Sequence, residues 1–343
     1  MAIREAIAEV INGRNLTFEQ AETTMNQIMS GDATQAQIGS YLTALRMKGE
    51  TIDEIAGSAK SMLEHVIPVN VKMGSPDEML IDTVGTGGDG KHTFNISTTS
   101  AFVVAGAGKK VAKHGNRAAS SRSGSADVLM ALGANLDLNA DQVAECVNQA
   151  GIGFLYAVKH HPAMRHAIGP RRELGQRTIF NVLGPLTNPA GATHLLVGVF
   201  AGYLTEPLAH VLGRLGKKAA YVVHGADGLD ELSTTGVNQV SYVKDGQVNT
   251  FDMDPQDYGI ARGNLDDMIG GEPEDNAQIT RDILSGKDTG PRRDIVLLNA
   301  GATLGVKDNN IAAGIAQAKD SIDSGAALKT LDAWVEATNS FSS

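Results

Sequence analysis

Along residues 1 to 72 the apolar positions fall into three helix-length segments, each opened by a capping pattern: Thr17 with Gln20, Thr34 with Gln37, and Thr51 with Glu54. In such a box the threonine side chain accepts from the backbone three residues on while the longer polar side chain reaches back, so each pattern marks a helix start. The segments are expected to stop near Gly31, Gly49 and Pro68. Helices this short bury their apolar faces only against one another or on a partner, which predicts a small helical domain with a structural or dimer-forming role.

From Met79 the pattern changes to short apolar runs, MLIDTVG, KKVAKHG, HLLVGVF and AAYVVHG, separated by helix-like segments such as 98–107, 126–132 and 140–150. That alternation predicts an α/β domain over residues 73–343, with a largely parallel sheet flanked by helices. SYVKDGQVNTF carries Asp245-Gly246 between two strand-like halves, the signature of an antiparallel hairpin, so the sheet is expected to be mixed. Two further helices are predicted at 309–324 and 326–338, divided by Gly325. No internal repeat or low-complexity tract interrupts the chain.

Composition narrows the function. The 343 residues, 42% of them hydrophobic, suffice for a large core. Lys and Arg total 29 against 39 Asp and Glu, and the resulting net charge of -10 argues against a broad nucleic-acid-binding surface while leaving room for a local basic pocket. Cys146 is the only cysteine, so no intrachain disulfide can form and its apolar surroundings read as a buried thiol. Without a basic-then-apolar leader or an apolar run of membrane-spanning length, the chain is expected in the cytoplasm.

Three loops concentrate chemistry. Gly85-Thr86-Gly87-Gly88-Asp89-Gly90 follows a strand-like run, where glycine permits a tight turn and close approach of a ligand to the main chain. Asn95-Ile96-Ser97-Thr98-Thr99-Ser100 then precedes a helix-like segment whose N-terminal amides and dipole attract phosphate. Lys113-His114-Gly115-Asn116-Arg117, with the hydroxyl-rich stretch from Ser120 to Asp127, supplies cations and donors for phosphate or pyrophosphate oxygens. Asp230-Glu231 follows another strand-like run, and with Ser97 offers the hard oxygen donors that Mg²⁺ takes alongside substrate oxygens. His160-His161 lacks acidic or cysteine partners at ligand spacing and is read as structural, not as a zinc site. Arg171 is suited to fork onto a carboxylate of an acceptor molecule, while Arg172 and Glu173 read as support for a helix end.

Taken in order, GTGGDG, FNIST, KHGNR, SSRSGSADVL, HPAMRH, RRELGQRTIFNVLGPLTNPA and DGLDELSTTG resemble the anthranilate phosphoribosyltransferase family over nearly the whole chain. The resemblance implies a homodimer whose helical domain, 1–72, is joined in space by about 170–190 and hinged to an α/β domain that binds phosphoribosyl pyrophosphate. It implies that Gly85, Gly88, Asp89, Thr93, Asn95, Ile96, Ser97, Thr98, Lys113, His114, Gly115, Asn116, Arg117, Ala118, Ala119, Ser120, Ser121 and Ser125 surround that sugar donor. It further implies Ser97, Asp230 and Glu231 as magnesium ligands, and Gly85, Asn116 and Arg171 around anthranilate. Val158 stands where the family often has proline, and Gln176 where an aliphatic residue is usual.

Breaking the bond at the anomeric carbon builds positive charge on ribose and negative charge on pyrophosphate, so catalysis is expected to be electrostatic and positional. Lys113 and Arg117 are the expected supports for the leaving group, and an aromatic amine, already neutral at neutral pH, calls for no dedicated acid or base. A pyrimidine nucleoside phosphorylase and a nucleic-acid-binding relative share the resemblance in fold. The intact NIST, KHGNR and DELS segments speak against the first, and the acidic charge balance against the second.

Overall fold

The computed structural model describes residues 2–118 and 122–341. Four helices open the chain: α1 (Ile3–Ile11), α2 (Phe18–Ser30), α3 (Gln35–Lys48) and α4 (Ile52–Glu64). The three capping boxes are formed as predicted, with Thr17, Thr34 and Thr51 each accepting from the backbone three residues on. The additional helix α1 starts at Ala2, which has no side-chain acceptor, so only half a box forms, from Ala2 N–H to Glu5. Its start therefore carries no capping residue for sequence to display. The last of the four ends at Glu64, short of Pro68.

The chain continues with β1 (Leu80–Gly85), α5 (Ile96–Gly106), β2 (Lys110–Gly115), α6 (Ser125–Ala131), α7 (Ala140–Ala150), β3 (Ile152–Tyr156), the single turn α8 (Ala157–His160), α9 (Arg165–Leu174), α10 (Phe180–Leu183) and β4 (His194–Gly198). It closes with α11 (Thr205–Arg214), β5 (Ala219–His224), β6 (Asn238–Lys244), β7 (Gln247–Met253), α12 (Pro273–Leu284), α13 (Pro291–Gly305), α14 (Ile311–Asp323) and α15 (Ala326–Ser340).

The strands form one sheet in the order β3-β2-β1-β4-β5-β6-β7. The first five are parallel, and β6 and β7 add an antiparallel hairpin. Asp245 and Gly246 turn that hairpin with φ of 49° and 77°, the two left-handed positions a tight two-residue loop demands. The fold is thus the mixed, mostly parallel α/β sheet with an annexed helical bundle that the apolar pattern predicts.

Strand alternation sends side chains to two cores. Leu196, Tyr221 and Val223 face a core shared with α5, α7 and α12–α15. Leu195, Val197, Ala220 and Val222 face the other way, into a core that runs through α11 and residues 179–186 to the helices α1–α4. The helical bundle therefore shares one apolar interior with that face of β4 and β5, joined to it through α11 and residues 179–186. Helix α13 went unremarked in the sequence because it is buried from Ile295 to Gly305 without a polar face to give it a period. No helix among the described residues is long and apolar enough to cross a membrane.

Candidate active site

After β1 the chain builds β2 and β3 to one side and then returns to place β4 on the other, so strand order reverses between β1 and β4. Ligands of open parallel sheets bind in the crevice at the carboxyl ends of strands at such a reversal. Gly85 ends β1, Gly115 ends β2 and Gly198 ends β4; the glycine loop leaves β1, Asn116 and Arg117 follow β2, and the Asp230-Glu231 loop leaves β5.

In the glycine loop, Gly87, Gly88 and Gly90 hold φ of 73°, 78° and 73°, a conformation other residues reach only under strain. The Gly87 amide donates to Asp230 Oδ2 at 2.6 Å. The amides of Gly88, Asp89 and Gly90 have no acceptor among the described residues, leaving three adjacent donors for an anion. Gly85 and Gly198 serve another end: a Cβ on Gly85 would lie 2.2 Å from Asp230 Oδ2, and one on Gly198 1.7 Å from the Asp230 carbonyl oxygen. Both make room for the acidic loop. Downstream, Thr93 bridges to Ile269, Phe94 N–H donates to Met268 at 2.9 Å, and Arg292 ties that partner stretch to α13.

At the start of α5, Asn95 does not cap the helix; its side chain bonds Ser123 and accepts from Asn276 at 3.0 Å. The Ser97 amide donates to Glu231 Oε1 at 3.1 Å, and the Ser97 hydroxyl accepts from Lys113 Nζ at 3.2 Å. Lys113, only 2% exposed, also donates to the Thr83 carbonyl at 2.7 Å. Thr98 donates its hydroxyl to Ser125 at 3.1 Å.

Burial raises the Asp230 carboxyl well above its ordinary range, and repulsion from Asp89 and Glu231 adds to it. Burial raises Glu231 as well, against the pull of Lys113. The Lys113 ammonium is itself lowered by burial and held up by Asp82, Glu231 and Asp230. One lysine cannot balance so many buried acids, so their ionised forms call for a further cation. The donors are all oxygen, a hydroxyl and two carboxylates, which fits magnesium. No group of three or more His, Cys, Asp or Glu among the described residues is arranged to hold a metal alone, so substrate and water would complete the shell.

Behind Lys113, Asp127 Oδ2 accepts from the amides of Ala118 and Gly124, both at 2.9 Å, and so closes the neck of the next loop. The Asn116 side chain accepts from the Arg117 amide at 2.8 Å. The Arg117 guanidinium points out to the Tyr156 hydroxyl at 3.1 Å and Met130 at 3.5 Å. Ala119, Ser120 and Ser121 lie outside the described residues. His114 Nδ1 donates to the Gly184 carbonyl at 3.2 Å, so its Nε2 is an acceptor for His161 Nε2–H at 3.1 Å. Burial holds both rings neutral, at about 3 for His114 and about 4 for His161. Beneath them Asp82, pushed up to about 6 by burial, accepts from the His114 amide at 3.2 Å and from Asn188 at 2.8 Å. Asp82 and Asn188 were missed as site supports; a lone acid inside the apolar run MLIDTVG was the available signal.

Arg171, in the last turn of α9, lies half-buried with its guanidinium 5.1 Å from the Phe180 ring centroid. It makes no side-chain hydrogen bond or ion pair among the described residues, and burial lowers its pKa. A desolvated cation without a counter-charge is a receptor for an anion. Its contacts do not reach Asn116 or the glycine loop directly. Arg177 does reach that loop, donating to the Gly88 carbonyl, and it too went unnoticed in the sequence.

Residues 77–328 match the glycosyl transferase family a/b domain, and residues 4–66 the glycosyl transferase family helical bundle domain. The anthranilate phosphoribosyltransferase of Acetivibrio thermocellus is 52% identical over 341 residues, spanning 99% of this chain and 97% of its own. This chain belongs to the anthranilate phosphoribosyltransferase family. The crystal structure of the family member from Thermus thermophilus superposes with a TM-score of 0.91 at 42% identity, over 97% of this chain and 99% of that one. The Saccharomyces cerevisiae anthranilate phosphoribosyltransferase in complex with PRPP and Mg superposes with a TM-score of 0.89 at 30% identity, over 99% of this chain and 98% of its own. The helical bundle match falls on α1–α4 and the a/b match on the sheet and its flanking helices.

Proposed function

We infer that this chain transfers the phosphoribosyl group of phosphoribosyl pyrophosphate to the amine of anthranilate, giving N-(5-phosphoribosyl)anthranilate and pyrophosphate, a step of tryptophan synthesis. The observation that carries this reading is the convergence, at the strand-order reversal, of three unpartnered loop amides with Lys113 and the Asp230-Glu231 pair.

The residues implied by resemblance are proposed to divide between two substrates. The glycine loop, the first turn of α5 from Asn95 to Thr98, and Lys113 through Ser121 with Ser125 would enclose the sugar donor. Ser97, Asp230 and Glu231 would hold Mg²⁺, which supplies charge neutralisation for departing pyrophosphate. As the C–O bond to pyrophosphate breaks and the C–N bond forms, Lys113 places positive charge on the leaving side and the loop amides donate to its oxygens. Arg171 would fork onto the anthranilate carboxylate and, with Asn116 and Gly85, aim the amine at the anomeric carbon. The proton lost by the amine needs no strong base from the chain. Arg117, turned toward Tyr156, would have to swing inward to meet the leaving group.

The helical part, 1–72 with 170–190, is proposed as the dimerising half and 73–343 as the donor-binding half. Exposed Ile11 and Met47, at 67% and 83%, flank a groove between α1, α3 and α9 that suits a second copy. Light scattering of the purified chain tests this, and a monomer at micromolar concentration would overturn it. The buried free thiol of Cys146 suits a cytoplasmic setting. The transfer itself is tested by following anthranilate fluorescence with phosphoribosyl pyrophosphate and Mg²⁺, with and without a chelator. Loss dependent on donor and metal supports the reading; persistent fluorescence with intact donor binding would remove the acceptor assignment.

A further inference from the structure

The glycine loop has three left-handed glycines and is intrinsically free to adopt many shapes, so something must hold the one observed. Apart from a long 3.4 Å contact from the Thr86 hydroxyl to the Gly87 carbonyl, the main chain of Gly87–Gly90 makes two hydrogen bonds among the described residues. One is from the Gly87 amide to Asp230; the other is from Arg177 Nη2 to the Gly88 carbonyl. An acid thus holds a loop donor and a base holds the next residue's acceptor.

Arg177 comes from the far side of the crevice. Its segment is fixed at both ends, by the left-handed Gly175 that stops α9, with φ of 57°, and by the Thr178 amide donating to Asn181 at 2.9 Å. Its guanidinium lies 4.2 Å from the centroid of the Phe200 ring, and the Phe200 amide donates to Thr86 Oγ1 at 3.2 Å. The planar group is therefore oriented by stacking on a residue that is itself tied to the base of the loop. A Cβ at Gly88 would come within 3.7 Å of the guanidinium, so loop and arginine are already in contact distance.

We propose that Arg177 is a positioning residue that latches the glycine loop in its anion-ready form, linking it to the segment that follows α9, the helix whose last turn carries Arg171. The latch keeps the amides of Gly88, Asp89 and Gly90 turned away from protein acceptors, so that the loop does not have to be ordered when a diphosphate arrives. In its consequence for catalysis this rests on the proposed phosphoribosyl transfer; the latch itself does not. Because Arg177 is exposed, its replacement leaves the core intact.

The test compares wild type, Arg177→Ala, Arg177→Lys and Phe200→Leu. Hydrogen–deuterium exchange of the unliganded chain reads the latch without any substrate: residues 85–92 exchange faster in Arg177→Ala, with thermal unfolding unchanged. Steady-state kinetics then show KM for phosphoribosyl pyrophosphate raised about tenfold in Arg177→Ala, the loss of a charge-assisted hydrogen bond. KM for anthranilate stays near wild type. Arg177→Lys stays within about threefold of the alanine variant, since an ammonium neither stacks nor forks as a guanidinium does. Phe200→Leu moves in the same direction by a smaller factor. Unchanged exchange in Arg177→Ala overturns the latch, and full rescue by lysine that fades with salt overturns it in favour of a simple charge. A wild-type chain that fails to turn over phosphoribosyl pyrophosphate would instead overturn the functional reading, leaving the exchange result to stand by itself.

Discussion

Replacing Gly198 by alanine tests how the acidic loop is seated. The added methyl would begin 1.7 Å from the Asp230 carbonyl oxygen, 2.3 Å from its carbon and 3.0 Å from the Glu231 nitrogen, all backbone atoms that no rotamer change can move. To reach ordinary contact at 3.4 Å the carbonyl must retreat by about 1.7 Å, carrying both carboxylates with it. Overpacking of this kind costs about 1–3 kcal/mol of stability. A displacement of about 1 Å at a reacting centre costs on the order of 100-fold in rate, so kcat/KM should fall by at least about that factor. Gly246→Ala, in the hairpin turn away from the crevice, is the matched control: with φ of +77° and nothing within 4 Å, it strains the backbone by about 1–2 kcal/mol without touching the acids. The assay is anthranilate fluorescence at graded Mg²⁺, alongside thermal unfolding. Gly198→Ala should raise the half-saturating Mg²⁺ concentration, whereas Gly246→Ala should not. If Gly198→Ala keeps kcat/KM within threefold and leaves the metal dependence alone, the acids are not seated by this contact, and their assignment as metal ligands loses its geometric support.

Arg171→Ala should raise KM for anthranilate by about 10- to 100-fold, the loss of a charge-assisted pair, while KM for phosphoribosyl pyrophosphate changes little; equal effects on both would refute the acceptor role. Glu54 is wholly buried, paired with Lys48 at 2.9 Å, and accepts from Leu16 and Thr51, so Glu54→Ala should cost about 3–5 kcal/mol in urea unfolding, with kcat preserved in the folded fraction. His194, buried among Lys218, Lys307 and Lys244, has its pKa lowered to about 4, first by burial and then by those charges. Its unfolded value is about 6.5, so the unfolded chain binds the extra proton; stability is full above that pH and declines as pH falls toward 4, by about 3 kcal/mol in all. Unfolding at pH 7, 6 and 5 should therefore show a smaller acid loss in His194→Gln than in wild type, and parallel curves would refute the assignment.

The helices α2, α3 and α4 were legible because the information for a helix start is local: a threonine and a glutamine or glutamate three residues apart satisfy backbone donors wherever the helix goes. The hairpin at Asp245-Gly246 was legible for the same reason, since left-handed φ at two successive positions selects those residues. The loops proposed to bind an anion stood out because glycines, hydroxyls and cations are gathered there in short stretches. Helix α13, surrounded by core, lacked a polar face and so lacked a period.

Gly198 shows where such reading ends. Nothing in HLLVGVF marks its fifth residue as chemical; it is glycine because the carbonyl of Asp230, from a loop beyond the next strand, passes where a side chain would be. Arg177 is similar, exposed in its own segment and significant only because folding brings it onto Gly88. Sequence alone determined the capped helices, the hairpin and the alternation that makes the sheet, the loops proposed to meet an anion and a metal, and the family these motifs resemble. Each of these is set by contacts within a few residues. Tertiary structure decided which loops share one crevice, which cation is left half-buried without a counter-charge and which backbones pass too close for a Cβ, because those properties depend on atoms brought together from distant parts of the chain.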